Sequence, residues 1–123
     1  MKSSKYFSER ELTCRCGCGD VEMDPVLLDK LDDLRERIGV PLFLTSAKRC
    51  EEHNRQVGGT ALSAHVGKLG RAVDIQCFDG KLRDRLIDEG KKAGFRRRGI
   101  AKSFVHFDIG EPPVYPLDVT WTY

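Results

Sequence analysis

The sequence contains no apolar run long enough to span a bilayer, and residues 1–7 lack the apolar stretch of a secretory signal. We therefore expect no membrane insertion, and synthesis in a reducing cytoplasm. Neither sign of charge prevails, because 21 basic residues accompany 19 acidic ones and the formal net charge is +2. The one basic run (Arg96, Arg97 and Arg98) has no aromatic platform nearby and is predicted to be a solvated strand or turn. These absences argue against a nucleic-acid partner.

Internal repeats, low-complexity segments and linkers are also absent. A chain of 123 residues suits one domain with one core and is too short for two ordinary domains. Its 40% hydrophobic and 33% charged residues are typical of a soluble globular protein. We expect a single domain over residues 1–123, and a monomer.

The longest predicted helix follows Asp24, a good N-cap, and stops at Gly39, a residue typical of helix C-termini. Between them, apolar residues recur at helical spacing: Leu27, Leu31, Leu34 and Ile38. Further helical segments are predicted at residues 8–11 (a Ser-x-x-Glu capping box), 51–57 and 80–93.

Short apolar segments predict strands at residues 41–46, 71–78, 95–100 and 103–109. Residues 13–20 and 60–70 are expected to be loops. The tail, residues 111–123, should be extended and packed on the domain through Tyr115, Trp121 and Tyr123. Because helices and strands are mixed without regular alternation, the expected fold class is α+β.

Two predicted strands carry polar side chains opposite an apolar row. Alternation places Asp74 opposite the row Val73, Ile75 and Cys77. It likewise places His106 and Asp108 opposite Val105, Phe107 and Ile109. His65 lies in the loop before the first of these strands and can reach the same surface. Two histidines and one carboxylate are a common catalytic zinc set, although singly such residues are more often surface or hydrogen-bonded groups.

Several motifs occur in a fixed order around these residues: CRCGCG at 14–19, TSAKR at 45–49, HN at 53–54, VGG at 57–59, SAH at 63–65, GRAVDI at 70–75 and FVHFD at 104–108. The ordered set covers about residues 7–110. It resembles the D-alanyl-D-alanine carboxypeptidase-like zinc peptidases (peptidase M15), in particular their small bacterial and phage-encoded branch. The resemblance implies a small, mainly antiparallel sheet flanked by helices, as in the hedgehog and D-Ala-D-Ala peptidase folds.

The resemblance also implies one catalytic zinc ion, bound by His65, Asp74 and His106. Arg49 matches an arginine that contacts the substrate or the developing oxyanion. Many relatives have an acid where this chain has Ser103, so the candidate general base is Asp108, with Glu51 and Glu52 as weaker alternatives. The competing role for Asp108 is to orient a zinc ligand.

Three other positions match recurrent residues of the family. Ser63 and Asn54 are expected to order loops through hydrogen bonds, and His53 to be structural or to support a zinc ligand. The chain departs from the usual spacing by two extra residues between His65 and Gly70, an insertion that a loop accommodates at small entropic cost.

The five cysteines leave several alternatives open. Cys77, in an apolar strand row, is interpreted as a core residue. The other four are Cys14, Cys16, Cys18 and Cys50. They could bind a second, structural zinc ion, although the Cys-x-Cys-x-Cys spacing of the first three is tighter than is usual for zinc. Alternatively, one of the first three could form a disulfide with Cys50 after release into an oxidising space, or all four could be plain thiols.

The expected function is zinc-dependent hydrolysis of peptidoglycan stem peptides, at either the D-Ala–D-Ala or the L-Ala–D-Glu bond. The alternative is a zinc-stabilised module that binds peptidoglycan or a protein without hydrolysis. Because no signal peptide is visible, action on the cell wall would require release by a helper such as a holin, which suits a phage or prophage lysis enzyme or tail component.

Overall fold

The computed structural model describes residues 4–60 and 62–123 of the chain. Four helices occur in that part: α1 (Glu9–Leu12), α2 (Pro25–Ile38), α3 (Glu51–Gln56) and α4 (Gly80–Lys92). Ser8 and Glu11 form the predicted capping box of α1. The carboxylate of Asp24 caps α2, and Gly39 ends it in the left-handed conformation with φ 81°. The predicted helix signals are thereby confirmed.

A single five-stranded sheet has the strand order β1-β2-β4-β3-β5. Its strands are β1 (Leu44–Ser46), β2 (Ala72–Gln76), β3 (Arg97–Ile100), β4 (Phe104–Asp108) and β5 (Val119–Thr122). The β1–β2, β2–β4 and β3–β4 pairs are antiparallel, whereas β5 runs parallel to β3. The α+β class is confirmed, and the sheet is mainly antiparallel as the resemblance implied.

The hydrophobic core lies between the sheet and the helices α2 and α4. The strands contribute Val73, Ile75, Val105 and Phe107, all fully buried. The helices contribute a leucine-rich stripe: Leu27, Leu28, Leu31, Leu34, Ile38 and Leu86. Because side chains alternate along a strand, the polar residues of β2 and β4 lie on the opposite face of the sheet. Among the described residues, none of the helices has the length and apolarity needed to cross a membrane.

The structure differs from the sequence prediction at two strands. β1 is limited to Leu44–Ser46, since Pro41 lacks a backbone NH and the side chain of Phe43 is 66% exposed. The tail, predicted to be only extended and packed, forms β5 at the edge of the sheet. Trp121 of β5 packs over Gly99 as expected, and Tyr123, although 70% exposed, has its ring 5.2 Å from that of Phe104.

Candidate metal centre

The pairing of β2 with β4 places Asp74 directly opposite His106. His65 reaches them from the loop before β2. Its carbonyl oxygen accepts a hydrogen bond from the backbone NH of Arg49 at 2.9 Å, which ties this loop to the end of β1. All three side chains are buried, on the sheet face away from the hydrophobic core.

The candidate ligand atoms of the three side chains converge on one point. His106 Nδ1 lies 2.8 Å and His65 Nε2 lies 3.3 Å from the same oxygen, Asp74 Oδ1. Their candidate ligand atoms all lie within 4.8 Å of one another. Tetrahedral zinc with bonds of about 2.1 Å spaces its ligands about 3.4 Å apart. The separations in this cluster therefore suit zinc.

Hydrogen bonding determines which nitrogen of His65 faces the cluster. His65 Nδ1 lies 2.6 Å from the carbonyl oxygen of Ala47, so Nδ1 carries the hydrogen and donates it. Nε2 of a neutral ring is then a bare acceptor that faces another acceptor, Asp74 Oδ1. A cation bound by both atoms removes this repulsion. The residues present thus fit a metal ion.

His106 is held at its other nitrogen by Asp108. His106 Nε2 lies 2.7 Å from Asp108 Oδ2, while Asp108 Oδ1 accepts hydrogen bonds from Arg97 Nε at 2.6 Å and from the backbone NH of Gly110 at 2.9 Å. Both oxygens of Asp108 are therefore engaged. A carboxylate on the far nitrogen of a ligating histidine fixes the ring orientation.

Burial and hydrogen bonding shift the pKa of each group in opposing ways. Burial lowers the pKa of His65 below its ordinary value, against the influence of Asp74. Burial alone would also lower the pKa of His106, but its hydrogen bonds with Asp108 and Asp74 outweigh burial and raise it. Burial would raise the pKa of Asp74 and of Asp108, but hydrogen bonds with the histidines prevail and lower both. Both carboxylates are therefore ionised at neutral pH.

Arg49 lies beside the cluster and is held in position from three directions. Its guanidinium donates to Asp74 Oδ2 at 3.3 Å, to Asn54 Oδ1 at 3.1 Å and to Ser46 Oγ at 3.2 Å. Asn54 also donates from its amide nitrogen to the carbonyl of Thr60 at 2.8 Å. Asn54 therefore links Arg49 to the loop that follows α3.

The other candidates from the sequence lie at different distances from the cluster. Ser63 Oγ accepts a hydrogen bond from the backbone NH of His65 at 3.3 Å. His53 lies on α3, half-buried, and is not among the described residues that line the cavity at the centre. Glu51 and Glu52 are exposed on α3, and Glu52 pairs with Arg55.

A cavity of about 600 Å³ adjoins the three candidate ligands. One side is formed by the loop after α3, including Gly58, Gly59 and Ser63. The polar groups on its wall include Arg49, Arg97 and Asp108. Aromatic side chains form much of the remainder: Phe104, Tyr115, Trp121 and Tyr123. The cavity is therefore lined by two arginines and by a group of aromatic side chains.

The prediction that the run of three arginines is solvated was wrong for two of them. Arg98 is buried and donates to Thr120 Oγ1 and to the carbonyl of Phe95, while Arg97 pairs with Asp108 and lies against the Trp121 ring at 4.9 Å. Only Arg96 is exposed. The register of β3 on β4 places Arg97 opposite Asp108. This register cannot be derived from the amino-acid sequence alone.

The two-residue insertion after His65 is stabilised by a residue that sequence reasoning missed. Lys48 is only 2% exposed, and its ammonium group donates to the carbonyl of Gly67 inside the insertion. Gly67 has φ 121°, a conformation that favours glycine. In the sequence, Lys48 stands out only as part of the TSAKR motif at residues 45–49.

The structure also brings the four candidate thiols together. The Sγ atoms of all four lie within 4.8 Å of one another: Cys14, Cys16, Cys18 and Cys50. Cys77 lies apart from them in the core, as predicted.

Comparison with known proteins returns one family. The sequence model of the family described as Peptidase M15 matches residues 5–108. Searches of curated proteins and of solved structures gave no match. The matched region covers most of the chain and contains His65, Asp74 and His106. The protein therefore belongs to the peptidase M15 family.

Proposed function

We propose that this protein hydrolyses peptide bonds in peptidoglycan stem peptides at a zinc ion bound by His65, Asp74 and His106. The observation that carries the proposal is the convergence of these buried side chains beside a cavity of about 600 Å³. Two imidazole nitrogens and one carboxylate oxygen are a donor set that zinc prefers in catalytic sites. Zinc bound there would act as a Lewis acid that polarises the scissile carbonyl and activates water.

Arg49 is the proposed ligand for the substrate carboxylate or the developing oxyanion. Its guanidinium is already oriented by Asp74, Asn54 and Ser46, so it needs little reorganisation when substrate binds. Loss of one such preorganised group costs about 10²- to 10³-fold in turnover in other hydrolases. Its position on the wall of the cavity supports this role.

Asp108 is assigned the task of orienting His106. Both its oxygens accept hydrogen bonds, from His106, Arg97 and Gly110. Its pKa is lowered, and a weakly basic carboxylate is a poor proton acceptor at neutral pH. These contacts favour the orienting role over that of general base.

A carboxylate-bearing peptide suits the chemistry of the cavity. Arg49 and Arg97 both line it, and arginine recognises carboxylates through paired hydrogen bonds. The D-Ala–D-Ala terminus ends in a carboxylate, and the D-Glu residue of the stem carries another. Removal of a terminal D-alanine and cleavage of the L-Ala–D-Glu bond are therefore the two proposed reactions.

The second candidate is a zinc-stabilised module that binds peptidoglycan or a protein without hydrolysis. It is favoured by one observation: Asp74 and Asp108 are the only carboxylates among the described residues that line the cavity, and both are engaged in hydrogen bonds. Among the described residues that line the cavity, no carboxylate is therefore left free to act as a base.

We further propose where and in what form the protein acts. It would work as a monomer on the cell wall after release from the cytoplasm, as a lysis enzyme or tail component encoded by a phage or prophage does. The resemblance of the ordered motifs to the small phage-encoded branch supports the proposed site of action.

Mass spectrometry of purified muropeptides incubated with the zinc-loaded protein tests the proposed reaction. The control is the same protein carrying His65→Ala. We expect chelator-sensitive loss of a terminal alanine or release of the stem after L-alanine, and neither with the variant. Unchanged muropeptides with a protein that carries zinc at His65, Asp74 and His106 would contradict hydrolysis and favour the binding module.

A further inference from the structure

The four-cysteine cluster brings sulfur atoms from two distant segments to one point. Cys14 Sγ lies 3.5 Å from Cys16 Sγ and 3.9 Å from Cys50 Sγ, and Cys16 Sγ lies 3.6 Å from Cys50 Sγ. With Cys18, the four Sγ atoms lie within 4.8 Å of one another. All four cysteines are free thiols in this structure.

These separations match those of a four-thiolate metal site. Zinc–sulfur bonds of about 2.3 Å in a tetrahedron place the sulfur atoms about 3.8 Å apart. A disulfide requires about 2.05 Å. Three of the sulfur atoms lie close to the longer spacing, and Cys18 Sγ lies within 4.8 Å of each of them, so the four are near enough to bind one zinc ion.

The local backbone explains how the tight Cys-x-Cys-x-Cys spacing can present three sulfur atoms on one side. Gly17 and Gly19 both have positive φ, 87° and 84°, so the chain turns twice between Cys16 and Asp20. Backbone NH groups also point at the sulfur atoms. The NH of Cys50 donates to Cys14 Sγ at 3.5 Å, and the NH of Asp20 donates to Cys18 Sγ at 3.5 Å.

The fourth sulfur atom comes from the start of α3. Cys50 is the N-cap of that helix, and its Sγ accepts a hydrogen bond from the backbone NH of His53 at 3.4 Å. The cluster therefore joins three sulfur atoms of the loop after α1 to one at the start of α3.

We propose that Cys14, Cys16, Cys18 and Cys50 bind a second zinc ion with a structural role. Four protein ligands leave no position open for substrate, which is the pattern of structural zinc sites. The ion would join the loop after α1 to the N-terminus of α3. Arg49 immediately precedes Cys50, so the same ion would hold the segment that carries Arg49. This inference does not depend on the proposed hydrolysis.

Zinc counting by native mass spectrometry and elemental analysis, on full-length protein purified under reducing conditions, tests the proposal. We expect two zinc ions per chain in the wild type, and one in His65→Ala. The double variant Cys16→Ser/Cys18→Ser should retain only the ion at His65, Asp74 and His106. Both of these cysteines are exposed, so the substitutions leave the core intact. Cys77→Ala, which alters a cysteine outside the cluster, should retain two ions.

A spectroscopic measurement that leaves the four cysteines intact covers the case in which the double variant fails to fold. Cobalt added to the metal-free His65→Ala protein should give the charge-transfer absorption of a tetrathiolate site. The proposal is overturned by a single zinc ion in the wild type that His65→Ala removes. Cobalt spectra without thiolate bands, or a disulfide mass between these cysteines in reduced preparations, would overturn it equally.

Discussion

His106 has a carboxylate at each ring nitrogen, and this arrangement gives the two aspartates different tasks. Nδ1 faces Asp74 and His65, where their candidate ligand atoms meet, whereas Nε2 faces Asp108. Asp108 is in turn fixed by Arg97, whose guanidinium lies between Tyr115 and Trp121 at 5.1 and 4.9 Å from their ring centroids. Contacts therefore run without a break from the aromatic side chains to the candidate metal centre.

Substitution Asp108→Asn tests the orienting role at this residue. Asparagine keeps one acceptor oxygen for the three donors that contact Asp108, namely His106, Arg97 and Gly110, and without the charge it no longer strengthens the ring as a ligand. We expect zinc affinity at the His65 site to fall about 10- to 100-fold. At saturating zinc, turnover should remain within about tenfold of the wild type, because general-base catalysis contributes about 10² or more. Competition titration with a chelating dye and a muropeptide assay measure the two quantities.

The matched control for that substitution is Asp88→Asn, which removes an exposed carboxylate on α4 and should change neither quantity. If Asp108→Asn binds zinc like the wild type but loses turnover by about 10³-fold, Asp108 is the general base instead.

The candidate ligands could be predicted from the sequence because strand alternation and the ordered motifs both point to them. His65, Asp74 and His106 indeed converge. Arg97 and Lys48 could not be predicted in the same way. Their partners, Asp108 and Gly67, are 11 and 19 positions away, and the contacts depend on strand register and on the path of one loop.

At the scale of elements, α4 packs on β4 through an unusually close approach. Gly90 is buried in α4, and a Cβ atom there would overlap the ring of Phe107, a core residue next to His106 in β4. Glycine is unfavourable inside a helix by about 1 kcal/mol relative to alanine. Its presence at this position is therefore explained by packing rather than by helix propensity.

Substitution Gly90→Ala should lower the free energy of unfolding by about 1–2 kcal/mol, since the overlap with Phe107 outweighs the gain in helix propensity. Gly80→Ala is the matched control in the same helix, because a Cβ atom there meets no atom within 4 Å. It should leave stability unchanged or slightly raise it. Urea unfolding of both variants measures the difference, and equal stabilisation by both would contradict the packing argument.

Helix boundaries were predictable because local residues determine them. Asp24 and Gly39 bracket α2 as their cap preferences require. The strand β5 was not predicted, since it pairs with β3 from more than twenty positions away and its side chains are only partly buried. Long-range pairing of a half-exposed edge strand leaves no strong hydrophobic pattern in the sequence.

At the scale of the whole molecule, one short segment connects the two clusters of candidate metal ligands. Residues 44–50 contain β1, then Lys48 and Arg49, and end at Cys50. Arg49 donates to Asp74 of the candidate catalytic centre, while Cys50 contributes a sulfur atom to the thiol cluster. The position of Arg49 therefore depends on both ends of this segment.

The proposed function depends above all on the binding of a metal ion by His65, Asp74 and His106. A crystal structure of the zinc-loaded protein, with anomalous diffraction recorded on both sides of the zinc absorption edge, tests it most directly. We expect a zinc peak bound by His65 Nε2, a carboxylate oxygen of Asp74 and His106 Nδ1, with Asp108 still hydrogen-bonded to His106 Nε2. No zinc peak between these three residues in the loaded protein, or coordination through His106 Nε2 and Asp108, would contradict it.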